Sequence, residues 1–554
     1  MYNLKQSRNF LISVISAFLF TADSFGLPAF PGAEGFGADT PGGRGGRVIA
    51  VTSLADTGPG SFRAACEAAG PRVIVFKVHG IIKLTTGVLV DDPFLTIAGQ
   101  TAPGDGIALR AAALTIGTHD VVVRCLRFRV GDDPDGQKSN ERDGITVSST
   151  KTGQDIYNVI IDHCSVAWGV DENISTWTDQ VHDVTFQWCI TAEALHNSIH
   201  IDEGDTVPGA HSKGMILGKN ISNVSVHHCL FAHNVDRNPY IAGVINCEFV
   251  NNVVYNWGDG PAKTTSDKNV VHFIENYFKR GGSGSRYDCF RFSDTPAAGT
   301  AVYLHNNWRY DPANDPGSGQ YWSIVNGDAS ILADTLQFTP SNIIVHPVSE
   351  AYDLVLEGAG ARIPVRDTVD KRAVDDTRNG VGQRIDSQAE VGGWPVYAAG
   401  IALLDTDSDG MPDTWEQTNS LSPDDSTDGI GTDLSPEGYT NLEVYINSLL
   451  EPNTPVSNAT SGDGYKENRV QCPNPFYNNG EIIFKGNPCP VFIFIYNMQG
   501  MLQRKLIPYY TGNGITRAVW DKKGDDGKSV SEGLYIIKLI CNSYNVKCTI
   551  VLVN

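Results

Sequence analysis

NVIIDHCSV at residues 158–166, DVTFQWCIT at 183–191 and NVSVHHCLF at 223–231 are versions of one phrase. Each is a β-branched run that meets a polar corner and a Cys. The phrase continues as FVNNVVYNW around Asn252, FIENYF around Asn276 and YLHNNWRY around Asn307, and an earlier copy, VVVRCLRFRV, carries Cys125. Successive corners are 25, 40, 23, 24 and 31 residues apart, counted from Cys164. Short strands recurring at a period in the twenties, with Asn at the corners, predict a parallel β-helix. Stacked coils set one Asn above the next, where side-chain amides bridge the turns. The aligned Cys125, Cys164, Cys189 and Cys229 then read as a stack of small inward residues rather than disulfides. The 40-residue interval holds an insertion, 193–218, and long loops on a rigid scaffold carry function.

Working outward, the 554 residues contain 57 Gly and 28 Pro, with 41% apolar and 19% charged residues. That is enough apolar material for a large core and excludes wholesale disorder. A net charge of -21 argues against nucleic-acid binding, which needs many cationic contacts to phosphate. Lys5 and Arg8, the apolar run 10–20 and the small and polar residues 21–26 read as a secretion signal, too short to span a bilayer. The eleven Cys include no CxxC pair, so a zinc or redox site is not expected. Export permits disulfides, but spacing does not give their connectivity.

The texture changes after residue 400. Residues 405–437 hold ten acidic residues and no Lys or Arg. Within them Asp405, Asp407, Asp409, Gly410, Met411, Asp413 and Glu416 match a Ca²⁺-binding loop, expected to be structural. Residues 451–470 read as a linker, and 471–554 as a small β-sandwich with Gly-rich turns. Upstream, Glu141, Asp143, Asp162, His163, Asp171 and Glu172 lie on successive coils, where acids lining one face would hold a second Ca²⁺. Lys213 in the insertion and Arg237 in HHCLFAHNVDRNP bring positive charge beside them.

The stretches 29–65, 96–110, 160–172, 184–190, 227–239, 251–257 and 438–449 resemble, in order, polysaccharide lyase family 1, the secreted bacterial pectate lyases. The likeness runs from Leu27 to Leu450. It implies a right-handed parallel β-helix over 27–400, with 401–450 as the Ca²⁺ loop and tail, that cleaves polygalacturonate by β-elimination. It implies catalytic Ca²⁺ on Asp143, Asp171 and Glu141, with Glu172 as a further candidate. Arg237 matches the proton-abstracting Arg; Arg237 and Lys213 are the catalytic candidates, and Lys213, Arg237 and His211 the substrate-binding candidates. Two departures stand out. A further acidic ligand of the family falls near Ala167, and the second Arg of the family is replaced by the run Tyr240, Ile241, Ala242. An Arg base has to be shifted below its ordinary pKa, above about 12, and neighbouring cations would do so; an alkaline optimum follows.

The C-terminal region resembles the sorting domain of the type IX secretion system, through CPNPF at 472–476, VFIFIYNMQGML at 491–502 and the segment 518–539. It implies a partner in the export machinery, a secreted or cell-surface location in a Gram-negative bacterium, and pairings Cys472/Cys489 and Cys541/Cys548. The alternative is a carbohydrate-binding sandwich. The expected protein is thus all-β and monomeric, a Ca²⁺-dependent pectate lyase of pectin or polygalacturonate. The other readings are a lyase of methyl-esterified pectin and a non-catalytic polysaccharide-binding β-helix. A hydrolase of this fold would need paired acid and base carboxylates instead.

Overall fold

The computed structural model describes residues 26–450 except 150, 152, 283–286 and 311–323, together with strands and short connections between 469 and 552. The leader, most of the linker and the CPNPF motif lie outside the described residues.

From Arg47 to Ala333 the chain winds as a parallel β-helix with three faces. The first face stacks Arg47–Val51, Arg72–Phe76, Leu95–Ala98, Val121–Arg124, Val159–Asp162, His182–Gln187 and their successors. The second is a nine-stranded sheet of short strands, among them Arg127–Arg129, Ser165–Ala167, Ile190–Ala192 and Leu230–Ala232. The third stacks Leu114–Ile116, Ile145–Val147, Glu172–Trp177, the start of Lys213–His227 and the start of Tyr240–Val250. All these pairings are parallel, and the crossovers take the right-handed sense. The interior is one column of Val, Ile, Leu and Phe, from Val51 to Ile331.

The repeating corner lies between the first and second faces. Its first residue has positive φ in coil after coil: His163 (49°), Trp188 (52°), His228 (53°), Asn251 (54°), Glu275 (53°) and Asn306 (48°). Its second residue is Cys164, Cys189, Cys229, Asn252, Asn276 or Asn307. The strand register holds these in a column, with Asp162 beside Gln187, Gln187 beside His227 and Val250 beside Ile274. The amides bridge as the spacing predicts. Asn252 N donates to Asn276 Oδ1 at 2.9 Å, and Asn276 Nδ2 donates to Asn307 Oδ1 at 2.8 Å. The Cys column differs from expectation in one member. Arg124 pairs with Asp162, so Cys125 falls on the positive-φ position (55°) and Leu126 takes the stacked one.

Two faces are covered from outside. Helices Val348–Gly358 and Thr368–Asn379 lay Val355, Leu356, Ala373 and Val374 on the second sheet. On the first face, Ala29, Phe30, Ala33 and Ala38 cover Val122 and Ile160. Met411 and the helix Asn441–Ser448 cover Val73, Val75 and Ala98. The third face carries a groove.

Beyond the linker, two four-stranded antiparallel sheets form the C-terminal unit, with Ile482, Ile495, Trp520 and Ile537 buried. Cys472 and Cys489 lie outside the described residues. Cys548 pairs in register with Ile537, four residues along the strand from Cys541. The side chains of Cys541 and Cys548 also lie outside the described residues.

Candidate functional site

The corner between the second and third faces gathers the charged residues. Asp143 precedes the strand Ile145–Val147, Asp171 precedes and Glu172 opens the next, and Lys213 opens the one after. Glu172 pairs in register with Lys213, and Lys213 bridges to Asp236, the neighbour of Arg237. Residues from Asp143 to Arg237 are therefore gathered on four successive coils. Lys213 is not in a loop as expected: the insertion ends before it, and Lys213–His227 is a continuous strand. Gly214 permits the close stacking there. A Cβ on it would lie 2.7 Å from Arg237 O and 2.8 Å from Asn238 Oδ1.

Asp143, Asp171 and Glu172 bring carboxylate oxygens within 4.8 Å of one another. Asp143 is buried. It accepts hydrogen bonds from Glu172 N (2.8 Å), Thr146 Oγ1 (2.9 Å) and Ser175 Oγ. Burial, and then the Asp171 charge, push its carboxyl up to about 7. Carboxylates so placed repel one another unless a cation neutralises them, and an all-oxygen set suits Ca²⁺. Glu141 is not in the group. It ends the short turn Ser139–Glu141 with its side chain exposed and 3.7 Å from Lys138, so its expected ligand role is corrected. Ala167, on a strand of the second sheet, is buried among Trp168, Val170, Leu195 and Val369, where a carboxylate would have no water. Asp162 lies at the other corner. It is paired with Arg124 (2.8 Å) and His163 (2.7 Å), and those charges hold it well below the usual carboxylate range despite burial.

Arg237 sits at φ 61°, a strained position for a long side chain, and such strain concentrates at functional sites. Its N–H donates to Asp236 Oδ1 at 2.8 Å, and its guanidinium contacts Glu172. Burial lowers its pKa below the ordinary arginine range, while Asp171, Tyr240 and Asp143 oppose the shift. The cause is thus desolvation, not the neighbouring cations invoked from sequence. Lys263, which sequence reading missed, approaches Asp236 from the next coil at 2.6 Å, opposite Lys213 at 3.1 Å. Its ammonium lies 5.0 Å over Tyr240, the residue that stands near the missing second Arg. Tyr240, Lys263 and Arg291 are register partners down the third face. They line a groove of about 840 Å³ with Trp177 and Lys219, whose ammonium lies 4.9 Å over the indole. His211 faces Asp171, with Nε2 3.0 Å from Oδ1, and burial lowers its pKa.

The acidic tail forms a second oxygen cluster. Asp405, Asp407 and Asp409 converge, and Asp409 also meets Glu416 and Asp428. Asp405 Oδ1, Asp407 Oδ2, Asp409 Oδ2, both Glu416 oxygens and Asp428 Oδ1 are buried with no hydrogen-bond partner. Burial and mutual repulsion raise Asp409 and Glu416 to about 7. Gly410 (φ 95°) makes the tight turn between these acids. Two expectations are corrected. Asp413 accepts from Thr406 N (2.8 Å) and Oγ1 (2.7 Å), which shapes the loop, and lies outside the cluster. Asp428, from the following turn, joins it instead. Met411 packs its side chain on Leu442 and Tyr445, and its N–H donates to Asp409 Oδ1 at 2.8 Å. Six unsatisfied buried oxygens fit a hard cation well.

A β-helix whose open face sets a cationic groove beside buried carboxylates offers a site complementary to an anionic polymer. Comparison with known proteins makes the assignment specific. The chain is 35% identical over 457 residues to a probable pectate lyase C of Neosartorya fischeri, covering 81% of this chain and 99% of that one. It is 37% identical over 430 residues to a probable pectate lyase C of Emericella nidulans, covering 76% and 93%. This chain belongs to the pectate lyase family. No family model matches it. Solved structures similar to it include the cedar-pollen allergen Jun a 1, at 19% identity and TM-score 0.42, covering 59% of this chain and 92% of that chain. A Paenibacillus pectate lyase matches at 15% identity and TM-score 0.42, covering 61% and 97%.

Proposed function

We propose that the protein is a secreted, Ca²⁺-dependent lyase of polygalacturonate that acts by β-elimination, with Arg237 as the base. The observation that carries this is Arg237 beside Asp143, Asp171 and Glu172, with its guanidinium 5.5 Å over Tyr240, which lines a groove with Lys219, Lys263 and Arg291. Asp143, Asp171 and Glu172 would hold Ca²⁺, which when bound disperses charge on a uronate carboxylate. The cations along the groove match a polymer carrying one carboxylate per sugar, and exposed Trp177 offers a face to a pyranose ring. A neutral, methyl-esterified chain would leave those cations unmatched. Arg237 removes the proton α to the carboxylate, and burial, which lowers its pKa, favours the neutral form that acts as base. Lys213, held by Asp236, stabilises the negative charge that develops, and Lys263 binds the uronate chain along the groove. The electrons then form the double bond and expel the glycosidic oxygen. Activity rises with pH because the unprotonated guanidine is the reactive form. We also propose that the five-carboxylate cluster of the tail holds a structural Ca²⁺. The leader and the C-terminal unit would serve export and sorting to the surface of a Gram-negative bacterium.

The test is ultraviolet absorbance of unsaturated uronates released from polygalacturonate at alkaline pH, with Ca²⁺ and with chelator, beside an Arg237→Ala variant. A Ca²⁺-dependent rise that falls about 10²–10⁴-fold in the variant is expected. Equal rates in both proteins, or a maximum near pH 5, would overturn the Arg237 base.

A further inference from the structure

The insertion between Ala192 and Lys213 places two buried histidines, His200 and His211, against Asp171. Their rings stack with centroids 3.7 Å apart. His211 Nε2 lies 3.0 Å and His200 Nδ1 3.9 Å from the same oxygen, Asp171 Oδ1. His200 is 2% and His211 8% exposed; His211 Nε2 is within hydrogen-bond reach of Asp171, whereas His200 Nδ1 makes no hydrogen bond. The other nitrogen of His200, Nε2, is 3.2 Å from Asp202 Oδ1. A proton on Nε2 donated to Asp202 leaves the lone pair of Nδ1 aimed at Asp171. A carboxylate that orients a histidine from behind is the usual support of a metal-binding imidazole. A lone pair directed at a carboxylate oxygen is repulsive unless a cation lies between them.

We propose that Asp171, His200 and His211 form a site for a first-row transition-metal dication, such as Mn²⁺, Co²⁺, Ni²⁺ or Zn²⁺. Their donor atoms lie within 4.8 Å of one another. Two imidazoles and one carboxylate suit such ions, whereas Ca²⁺ takes six to eight hard oxygens. The site shares only Asp171 with Asp143 and Glu172, and its two imidazoles set its preference apart from that of an all-oxygen Ca²⁺ site. The remaining coordination positions are open to water or to a carboxylate oxygen. This inference does not depend on the Ca²⁺ reading.

The test uses the untagged full chain in excess Ca²⁺, titrated with Co²⁺ and followed by visible absorption and calorimetry. One equivalent of Co²⁺ is expected to bind and give a ligand-field band. His200→Ala and His211→Ala each lose that band. Asp202→Asn weakens binding about tenfold without removing it, as loss of a supporting partner does. Thermal melting checks that each variant folds, and His211→Gln replaces any that does not. Co²⁺ binding that millimolar Ca²⁺ abolishes, or that survives loss of both histidines, overturns the site. A protein that binds Co²⁺ through these histidines yet shows no Ca²⁺-dependent elimination sinks the proposed function alone. A Ca²⁺-dependent lyase without the cobalt band sinks this inference alone.

Discussion

Arg237 shows what one residue needs from its surroundings. Its positive φ and the hydrogen bond of its amide to Asp236 fix where the side chain starts, and burial sets its protonation. Arg237→Lys keeps a cation but not the planar fork, so kcat is expected to fall at least about a hundredfold in steady-state kinetics. Lys263 makes a different kind of contribution. Lys263→Ala leaves Asp236 held by Lys213 and the Arg237 amide, and removes one charge from the groove. The expected effect is a rise in KM of about tenfold with a smaller change in kcat, near the worth of one charge-assisted hydrogen bond. Asp143, Asp171, Glu172 and Arg237 were legible as site residues because their motifs are short and intact. Lys263 was not, because a lone Lys in PAKTT gives no signal until the coils stack. Glu141 misled for the converse reason: nearness to Asp143 in sequence does not determine which way a turn points its side chain.

At the scale of the element, the corner column was legible because its period is set by the length of a coil. The β-branched runs before each corner fix the strands, and the Asn after them has backbone groups of the next coil to satisfy. Asn276 is fully buried. It accepts from Asn252 N (2.9 Å) and donates to Phe249 O (2.7 Å). Asn276→Leu strands both groups in the interior, and a loss of about 2–5 kcal/mol in urea denaturation is expected. Cys189→Ala replaces a small buried thiol and should cost about 1 kcal/mol by the same measurement. The extents of the insertion and of the Ca²⁺ loop were less legible. Both are closed by partners from elsewhere, Asp236 for Lys213 and Asp428 for Asp409, and local spacing is blind to these.

The molecule as a whole is a column clad on two sides. The tail cladding depends on its acidic cluster, since Met411, Leu442 and Tyr445 reach Val73 and Val75 from either side of that loop. Chelation should lower the melting temperature by a few degrees, as loss of a ligand at a hundredfold its Kd removes about 3 kcal/mol. In Asp428→Asn that dependence on Ca²⁺ should weaken. The amino-terminal cladding has a pH dependence of its own. Burial raises Glu34 from the ordinary 4.5 to about 7, although Ile344 N donates to it at 3.0 Å. A raised acid favours the fold below its unfolded pKa, so this contribution is complete below about pH 4.5 and is lost as pH rises to about 7. It amounts to at most about 3 kcal/mol. Glu34→Gln should therefore stabilise the protein at pH 8 but not at pH 4, measured by denaturation at both. One further consequence lies at the start of the column. Among the described residues the first strand, Arg47–Val51, pairs with Arg72–Phe76 alone, and the helix Phe62–Cys66 turns Phe62, Ala65 and Cys66 into the interior beside it. Every coil presents the same ladder of amides and carbonyls to the next, so nothing in the strands themselves sets where stacking stops. That helix plugs this end of the column, so the repeating interior ends on packed side chains rather than on open core.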